Sequence, residues 1–378
     1  MSLIANVPRD AFLTALASLQ NVTGKKGTIA ILANILLEAQ TDSLVLTATD
    51  LEIGIRITIP AEILAPGAIT LPARKLLEMV RESAGVDHLH LEVQDNSWVR
   101  ITAQATNYNL AGMPADEYPA FPEYDEQQLV PLSCAVMKDL IDRTLFSVAQ
   151  EGESQFNLTG LLVERDFLEG EGYFLRMVSS DGHRLTMMEK PVENDLSGLR
   201  MDRTILIPKK GVQELRKLCD GHDDITIGFE EKQAVVKADG AILVVRLMNG
   251  DFPDYKNIIQ VINKARYISI PRIPLMNSLK RMNIFTEDRY NAVQFRVEKN
   301  RIILASQSMD IGNAKDELEI AYDDKEMQLG FNGRYFIEAV QVMESEAVKA
   351  YINSEESPCL IQGDEDPGYL SVIMPMKI

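Results

Sequence analysis

Four histidines, His88, His90, His183 and His222, are the side chains here best suited to acid–base or metal chemistry. His88 and His90 stand two apart, on one face of an expected strand, and could hold a metal together with a carboxylate. No Cys or His cluster of ligand spacing accompanies them, so exposed strand histidines are the simpler reading. Asp181-Gly182-His183 sets an acid beside a base, but no serine elbow or nucleophilic cysteine pattern lies near, and a turn bordering a binding pocket fits better. Asp364-Glu365-Asp366 could attract a divalent ion, although an acidic loop tip explains it more plainly. The chain contains neither Gly-x-x-x-x-Gly-Lys-Ser/Thr nor Gly-x-Gly-x-x-Gly, the usual devices for nucleotide and dinucleotide phosphates. The expectation is a protein that is not an enzyme, with no catalytic residue, metal or cofactor.

The elements around these residues are those of a globular chain. With 46% hydrophobic and 25% charged residues over 378 positions, the sequence can form two or three separately cored domains. No apolar run is long enough for a membrane span, and Met1 to Asp10 does not read as a secretory signal, so a cytoplasmic protein is expected. Cys134, Cys219 and Cys359 are odd in number and widely spaced, which suits buried reduced thiols.

A pattern recurs at about one third of the length. Leu71-Pro72-Ala73-Arg74-Lys75-Leu76-Leu77-Glu78 is echoed by Ile207-Pro208-Lys209-Lys210-Gly211-Val212-Gln213-Glu214, and more faintly by residues 331–338. Proline at the first turn costs a helix nothing, and apolar residues follow at helical spacing: Leu76, Leu77 and Val80; Val212, Leu215 and Leu218; Phe336, Ala339, Val340 and Met343. A second helix opens each third, on Phe12, Leu16 and Leu19, on Val136, Leu140 and Leu145, and on Leu275, Leu279 and Met282. Period-two runs such as Ile53 to Ile59, Leu89 to Val93 and Val293 to Val297 read as half-buried antiparallel strands. The spacing therefore predicts an α+β protein of three repeated domains, 1–127, 128–256 and 257–378, each with two helices on antiparallel sheet. Residues 115–124 and 249–255 read as extended, proline-bearing joints whose aromatics pin them in place.

The net charge of −18 argues at first against nucleic acid, since a duplex would repel it. The six expected helix segments nevertheless sum to +7, which leaves −25 for the remainder. Lys25, Lys26, Arg74, Lys75, Arg81, Lys138, Lys209, Lys210, Arg216, Lys217, Lys280 and Arg281 can therefore face one surface that touches phosphates without reading bases. Charge alone leaves open the plainer alternative of solvated helix faces.

Four motifs, Leu71-Pro72-Ala73-Arg74-Lys75, Ser180-Asp181-Gly182-His183-Arg184-Leu185, Gly250-Asp251-Phe252-Pro253-Asp254-Tyr255 and Met374-Pro375-Met376-Lys377-Ile378, resemble, in order and in register with the repeat, those of the bacterial DNA polymerase III beta subunit family, the sliding clamps. The resemblance implies a head-to-tail homodimer whose six domains close a ring on double-stranded DNA, without sequence specificity. It implies DNA contacts from Lys26, Arg74, Lys75, Arg81 and Lys210. It also implies a pocket for short peptides of the replicative DNA polymerase alpha subunit, the clamp loader, other polymerases and repair proteins. Leu158, Ser180, Gly182, His183, Arg184, Leu185, Pro253, Ile258, Val372, Met374, Pro375 and Met376 match that pocket, with His183 and Arg184 at its rim. Tyr108 and Leu110 match one side of the dimer interface, and Ile284 and Phe285 the other.

The chain departs from the family pattern at Glu153 to Asn157, which lacks the expected basic and tyrosine residues, and at Asn257 and Pro358. Two other readings stand beside the clamp: a protein-binding ring scaffold with no DNA, and a metal-dependent hydrolase.

Overall fold

Six times along the chain a strand runs directly into a helix and three further strands follow. The computed structural model describes residues 3–24, 29–150, 152, 158–202, 204–286, 291–308, 310 and 312–377. The first third contains β1 (Ile4–Pro8), α1 (Arg9–Leu19), β2 (Asn34–Ala39), β3 (Ser43–Thr49), β4 (Ile53–Pro60), an additional β5 (Glu62–Ala65), then β6 (Gly67–Pro72), α2 (Ala73–Glu82), β7 (His88–Val93), β8 (Trp98–Ala103) and β9 (Thr106–Ala111). The second contains β10 (Val130–Ser133), α3 (Cys134–Asp142), β11 (Gly160–Leu168), β12 (Gly172–Ser180), β13 (Arg184–Val192), β14 (Ile205–Pro208), α4 (Lys209–Leu218), β15 (Asp224–Phe229), β16 (Gln233–Ala238) and β17 (Ala241–Arg246). A short helix α5 (Tyr255–Gln260) precedes the third, which contains β18 (Ile268–Pro271), α6 (Arg272–Met282), β19 (Ala292–Glu298), β20 (Arg301–Ser308), β21 (Gly312–Glu319), β22 (Met327–Asn332), α7 (Gly333–Gln341), β23 (Ala347–Tyr351), β24 (Cys359–Gln362) and β25 (Tyr369–Ile373).

Proline explains four of the six strand-to-helix junctions. Pro8, Pro72, Pro208 and Pro271 each end a strand and precede a helix, and Pro8, Pro72 and Pro271 hold φ between −57° and −59°. A ring-locked φ of that size suits helix entry, and the missing N–H ends the ladder where no donor is needed. Asn332 performs the task differently at α7, its side chain accepting the N–H groups of Arg334 (3.0 Å) and Tyr335 (3.4 Å).

The two halves of each third exchange their first strands. The orders β1-β7-β8-β9, β10-β15-β16-β17 and β18-β23-β24-β25 repeat one arrangement, while β6-β2-β3-β4, β14-β11-β12-β13 and β22-β19-β20-β21 repeat its complement. The chain divides into two compact units. In one, β4 and β17 pair antiparallel, Ile53 opposite Val245, giving an eight-stranded sheet beside a five-stranded sheet that includes β5. In the other, β13 and β25 pair in the same way, Leu185 opposite Val372, giving an eight-stranded sheet beside a four-stranded one. One rule builds both seams: the last strand of a first half joins the last strand of a second half.

Most expected helix faces are buried, including Phe12, Leu16, Leu19, Leu76, Leu77, Val80, Leu275, Leu279 and Met282. The second third differs. In α3 it is Met137, Leu140 and Ile141 that are buried, not Val136, and the helix stops at Asp142, so Leu145 falls in a following 3-10 turn. In α4, Val212 and Leu215 are buried, but Cys219 takes the place expected of Leu218. All three cysteines are buried.

Of the joints, residues 115–124 open with a 3-10 turn at Ala115–Glu117, where an extended stretch was expected, and are pinned by aromatics from Tyr118 on. Tyr118 is buried, its hydroxyl accepting the N–H of Thr49 (3.2 Å) and donating to the carbonyl of Asn34 (3.2 Å), and Arg56 stacks over Phe121. Residues 249–255 end differently: Asp254 caps α5, accepting the N–H of Asn257 at 3.2 Å, so the chain turns helical at Tyr255 instead of staying extended.

Candidate binding surfaces

The Ser180-Asp181-Gly182-His183-Arg184 motif is a self-bonded turn between β12 and β13. Asp181 Oδ1 accepts the N–H groups of His183 and Arg184, both at 3.0 Å, while Ser180 Oγ accepts the N–H of Gly182 at 3.1 Å and donates to the Arg184 carbonyl at 2.7 Å. Gly182 adopts φ +88°, which L side chains avoid. A Cβ there would come within 3.9 Å of Leu158, the buried residue beneath the turn. The His183 carbonyl accepts the N–H of Met374 at 2.9 Å, so the turn holds the chain end, and Met376 N–H bonds the Gly330 carbonyl at 2.7 Å.

Below the turn, Leu185 and Val372 face each other across the seam and share a core with Tyr255, against which Ile258 and Phe252 pack. The Pro253 carbonyl accepts the N–H of Tyr255 at 2.7 Å, tying the Gly-Asp-Phe-Pro-Asp-Tyr motif to the same cluster. Leu158, Ser180, Leu185 and Val372 are buried, whereas Gly182, His183 and Met374 are exposed and Pro253, Ile258, Pro375 and Met376 partly so. The open face is therefore apolar and methionine-bearing over a packed floor, a surface that can adapt to an apolar peptide anchor.

Arg184 is not at a rim. It is 8% exposed, its Nε bonds Asp181 Oδ2 (3.0 Å), its Nη2 bonds the Phe146 carbonyl (2.7 Å), and it pairs with Glu338 and stacks 4.3 Å over Tyr335. Buried guanidinium charge requires such partners, so Arg184 fixes the turn instead of greeting a ligand. Glu338 and Tyr335 are the residues that sequence reasoning missed; the signal was Glu338 itself, aligned with Glu78 and Glu214 in the repeat. The Asp364-Glu365-Asp366 run is likewise only partly a tip: Asp366 is buried, accepting from Arg143 (2.6 Å) and from the N–H groups of Glu344 (2.8 Å) and Ser345 (3.0 Å).

On α2, the Arg74, Lys75 and Arg81 side chains are exposed. Arg74 Nε and Lys75 Nζ both reach Glu78, at 3.0 and 2.7 Å, and hydrogen bonds from Lys75 and then Arg74 hold its carboxyl below the ordinary value. Lys210 is half-exposed on α4. Lys25 and Lys26, and the departing residues 153–157, lie outside the described residues. Of the expected lining, Lys209 is committed to the carbonyl of Val148 and Arg281 to Asp316, and two further cations within the summed helix segments are also committed, Arg9 to the carbonyls of Val80 and Arg81 and Arg272 to that of Ser345. The segment charge of +7 thus overstates what can meet phosphate.

Strands β9 and β21 are the last strands of a second and a first half, and among the described residues each ends its sheet with one edge unpaired. Tyr108 is half-exposed on β9, but Leu110 is 9% exposed and belongs to the protomer's own core. Ile284 is 66% exposed, and Phe285 lies beside the start of β21, where a Cβ on Gly312 would be 3.7 Å from its ring. Of the histidines, His90 Nδ1 sits 2.7 Å from Asn6 Oδ1, an ordinary cross-strand partner for an amide.

The DNA polymerase III beta subunit N-terminal, central and C-terminal domains match residues 3–122, 131–254 and 262–377. The beta sliding clamp of Caulobacter vibrioides is 30% identical over 98% of this chain and 99% of its own, and that of Salmonella typhimurium 28% over 98% and 99%. A crystal structure of the Caulobacter crescentus beta sliding clamp superposes with a TM-score of 0.91 at 29% identity, covering both chains completely. With three domain models of one family spanning the chain and relatives matched along their full length, the chain belongs to the DNA polymerase III beta subunit family, the non-enzymatic DNA sliding clamps.

Proposed function

We propose that two copies close head to tail into a six-domain ring around duplex DNA, each chain divided at 127/128 and at 256/257, the latter within α5. The observation that carries this reading is the seam rule. Two of the three pairs of terminal strands join within the chain, β4 with β17 and β13 with β25, and the strands left over are β9 and β21. A second copy that follows the same rule pairs its β21 with this β9, and this β21 with its β9. Because the contact is heterologous, closure at two chains requires the curvature of each to span half a circle. Ile284, Phe285 and Tyr108 supply the side chains of that joint, and Leu110, buried and paired with Val99, supports the β9 edge from within.

Retention on DNA then comes from topology, and weak phosphate contacts from Arg74, Lys75, Arg81, Lys210 and Lys26 permit sliding. Polymerase, clamp loader and repair proteins dock a short apolar peptide over His183, Met374, Pro375, Met376, Ile258 and Pro253, with Leu185 and Val372 as floor. The site of action is the cytoplasm, where chromosomal DNA is replicated. Loading on nicked circular DNA tests the reading: the protein should stay bound through gel filtration and be lost when the circle is linearised. Equal retention on both forms would refute a ring.

A further inference from the structure

Each eight-stranded sheet contains one seam, and the two seams are covered differently. Their registers match: Ala241 and Leu243 oppose Ile57 and Ile55 in one, as Tyr369 and Ser371 oppose Met188 and Thr186 in the other. Ala241 and Tyr369 each open their strand, β17 and β25. The covering helices match as well. Arg9 and Cys134, the first residues of α1 and α3, donate their N–H groups to the carbonyls just before β7 and β15, those of Asp87 and Asp223. Ala15 therefore stands where the second third has Leu140, and Ser18 where it has Arg143.

The β13–β25 seam is filled from within the chain. Tyr369 is 1% exposed, its hydroxyl donates to the Ala339 carbonyl of α7 at 2.7 Å, and the Arg143 guanidinium lies 6.0 Å from its ring centre. Arg143 in turn bonds Asp366, which stands in the turn before β25. At the β4–β17 seam Ala241, Ala15 and Ser18 are all shorter than their counterparts. A cleft of about 560 Å3 lies there, lined by α1, α4 and the seam, with Ile55, Ile57, Leu243 and Leu218 among its apolar walls. Ser18 does not fill it, since its hydroxyl turns back to the Thr14 carbonyl at 3.2 Å. A carboxylate is nevertheless kept: Asp239, in the turn before β17, lines the cleft. The other lining carboxylates, Asp10, Glu214 and Asp220, are matched by Arg9, Lys217 and Arg216, whereas among the described residues no cation pairs with Asp239.

We infer that this cleft binds a small molecule made of an aromatic ring and an amidine, guanidine or amine group, with the ring on Ile55, Ile57 and Leu243 and the cation at Asp239. The volume is that of a small-ligand site, and apolar space vacated by a large side chain takes up a ring of matching size. The sibling seam shows which chemistry this packing accommodates, a ring and a guanidinium side by side. Asp239 then sets the sign of the ligand: a neutral ring forgoes the charged contact, and an anionic one is disfavoured.

The test titrates benzamidine into the full-length protein by calorimetry and follows isoleucine methyl resonances by NMR, with benzoate and benzyl alcohol as anionic and neutral controls. Benzamidine should bind with a Kd of about 1 mM or tighter and move the Ile55 and Ile57 methyls, and benzoate should not bind. A241Y, which restores the sibling's ring, and S18R, which supplies the guanidinium from within, should each weaken benzamidine by about tenfold or more through occupying the space. D239N alters charge and not volume, so it reads the contact even if A241Y unsettles the fold; it should weaken benzamidine by roughly threefold and leave benzyl alcohol unaffected. Methyls unmoved at about 10 mM benzamidine, benzoate bound equally well, or unchanged benzamidine affinity in D239N overturns the proposal. Full affinity in an A241Y protein of wild-type melting temperature does so as well, because the ligand would then sit elsewhere.

Discussion

Arg143 donates to Asp366 across 223 residues of sequence, Nη1 to Oδ1, at 2.6 Å. The same guanidinium reaches Asp139 at 2.7 Å and Glu344 at 3.0 Å, so the end of α3 is tied to the turn that follows α7. Removing one partner of a buried pair leaves the other uncompensated, at a cost of about 3–5 kcal/mol. D366A is expected to lose that much stability in urea denaturation. A loss below about 1 kcal/mol would mean that the network contributes little.

The same carboxylate sets a pH dependence. Burial alone would raise the pKa of Asp366, but hydrogen bonds from Ser345, the Glu344 N–H and Arg143 outweigh it and hold the pKa below its ordinary value. A depressed folded pKa contributes stability above the unfolded value, about 4, and loses it as pH falls through the folded one. The gap between wild type and D366N in urea midpoint should therefore be widest near neutrality and narrow below about pH 4. A gap independent of pH between 7 and 3 would contradict this assignment.

How much of this was legible in the sequence differs by residue. The repeat could be read because Pro72 and Pro208 mark strand-to-helix entries, and Pro8 and Pro271 carried the same mark unread. The division of each third into halves stayed hidden because Ser133 and Asn332 stand where proline would have completed the series. Arg184 was misplaced for a different reason: its partner Glu338 is 154 positions away, and one-dimensional spacing cannot show that a charge is buried and paired. Asp366 follows the same logic, since an acidic run looks like a tip until its last member turns inward to Arg143.

Closure through β9 and β21 predicts that I284D/F285D sediments as a monomer at micromolar concentration. Because Phe285 is half-buried beside Gly312, I284D alone provides the milder case, expected to raise the dimer dissociation constant at least tenfold. An intact dimer for both variants would place the joint elsewhere.

Charge reversal on α2 separates a DNA-facing surface from a merely solvated one. R74E/K75E/R81E should lower loading on nicked circles severalfold and flatten its dependence on salt, with an unchanged melting temperature. Since Arg74 and Lys75 share Glu78, E78Q should act in the opposite direction and strengthen retention. Loading unaffected by either variant would assign these residues to solvent.

Deleting residues 374–378 removes the exposed methionine and the chain end held by His183 and Gly330, while leaving Val372 in the core. Polymerase peptide binding should fall at least a hundredfold in fluorescence titration and the dimer should persist. Retained affinity would move the peptide site away from the Ser180 turn.

The exchange of first strands has a consequence for synthesis on the ribosome. Strand β4 is complete at Pro60, yet its neighbour β17 begins only at Ala241, and β13, complete at Val192, waits for β25, which begins at Tyr369. An emerging chain must carry raw sheet margins through most of translation, which slows folding through distant contacts and leaves it open to misassembly.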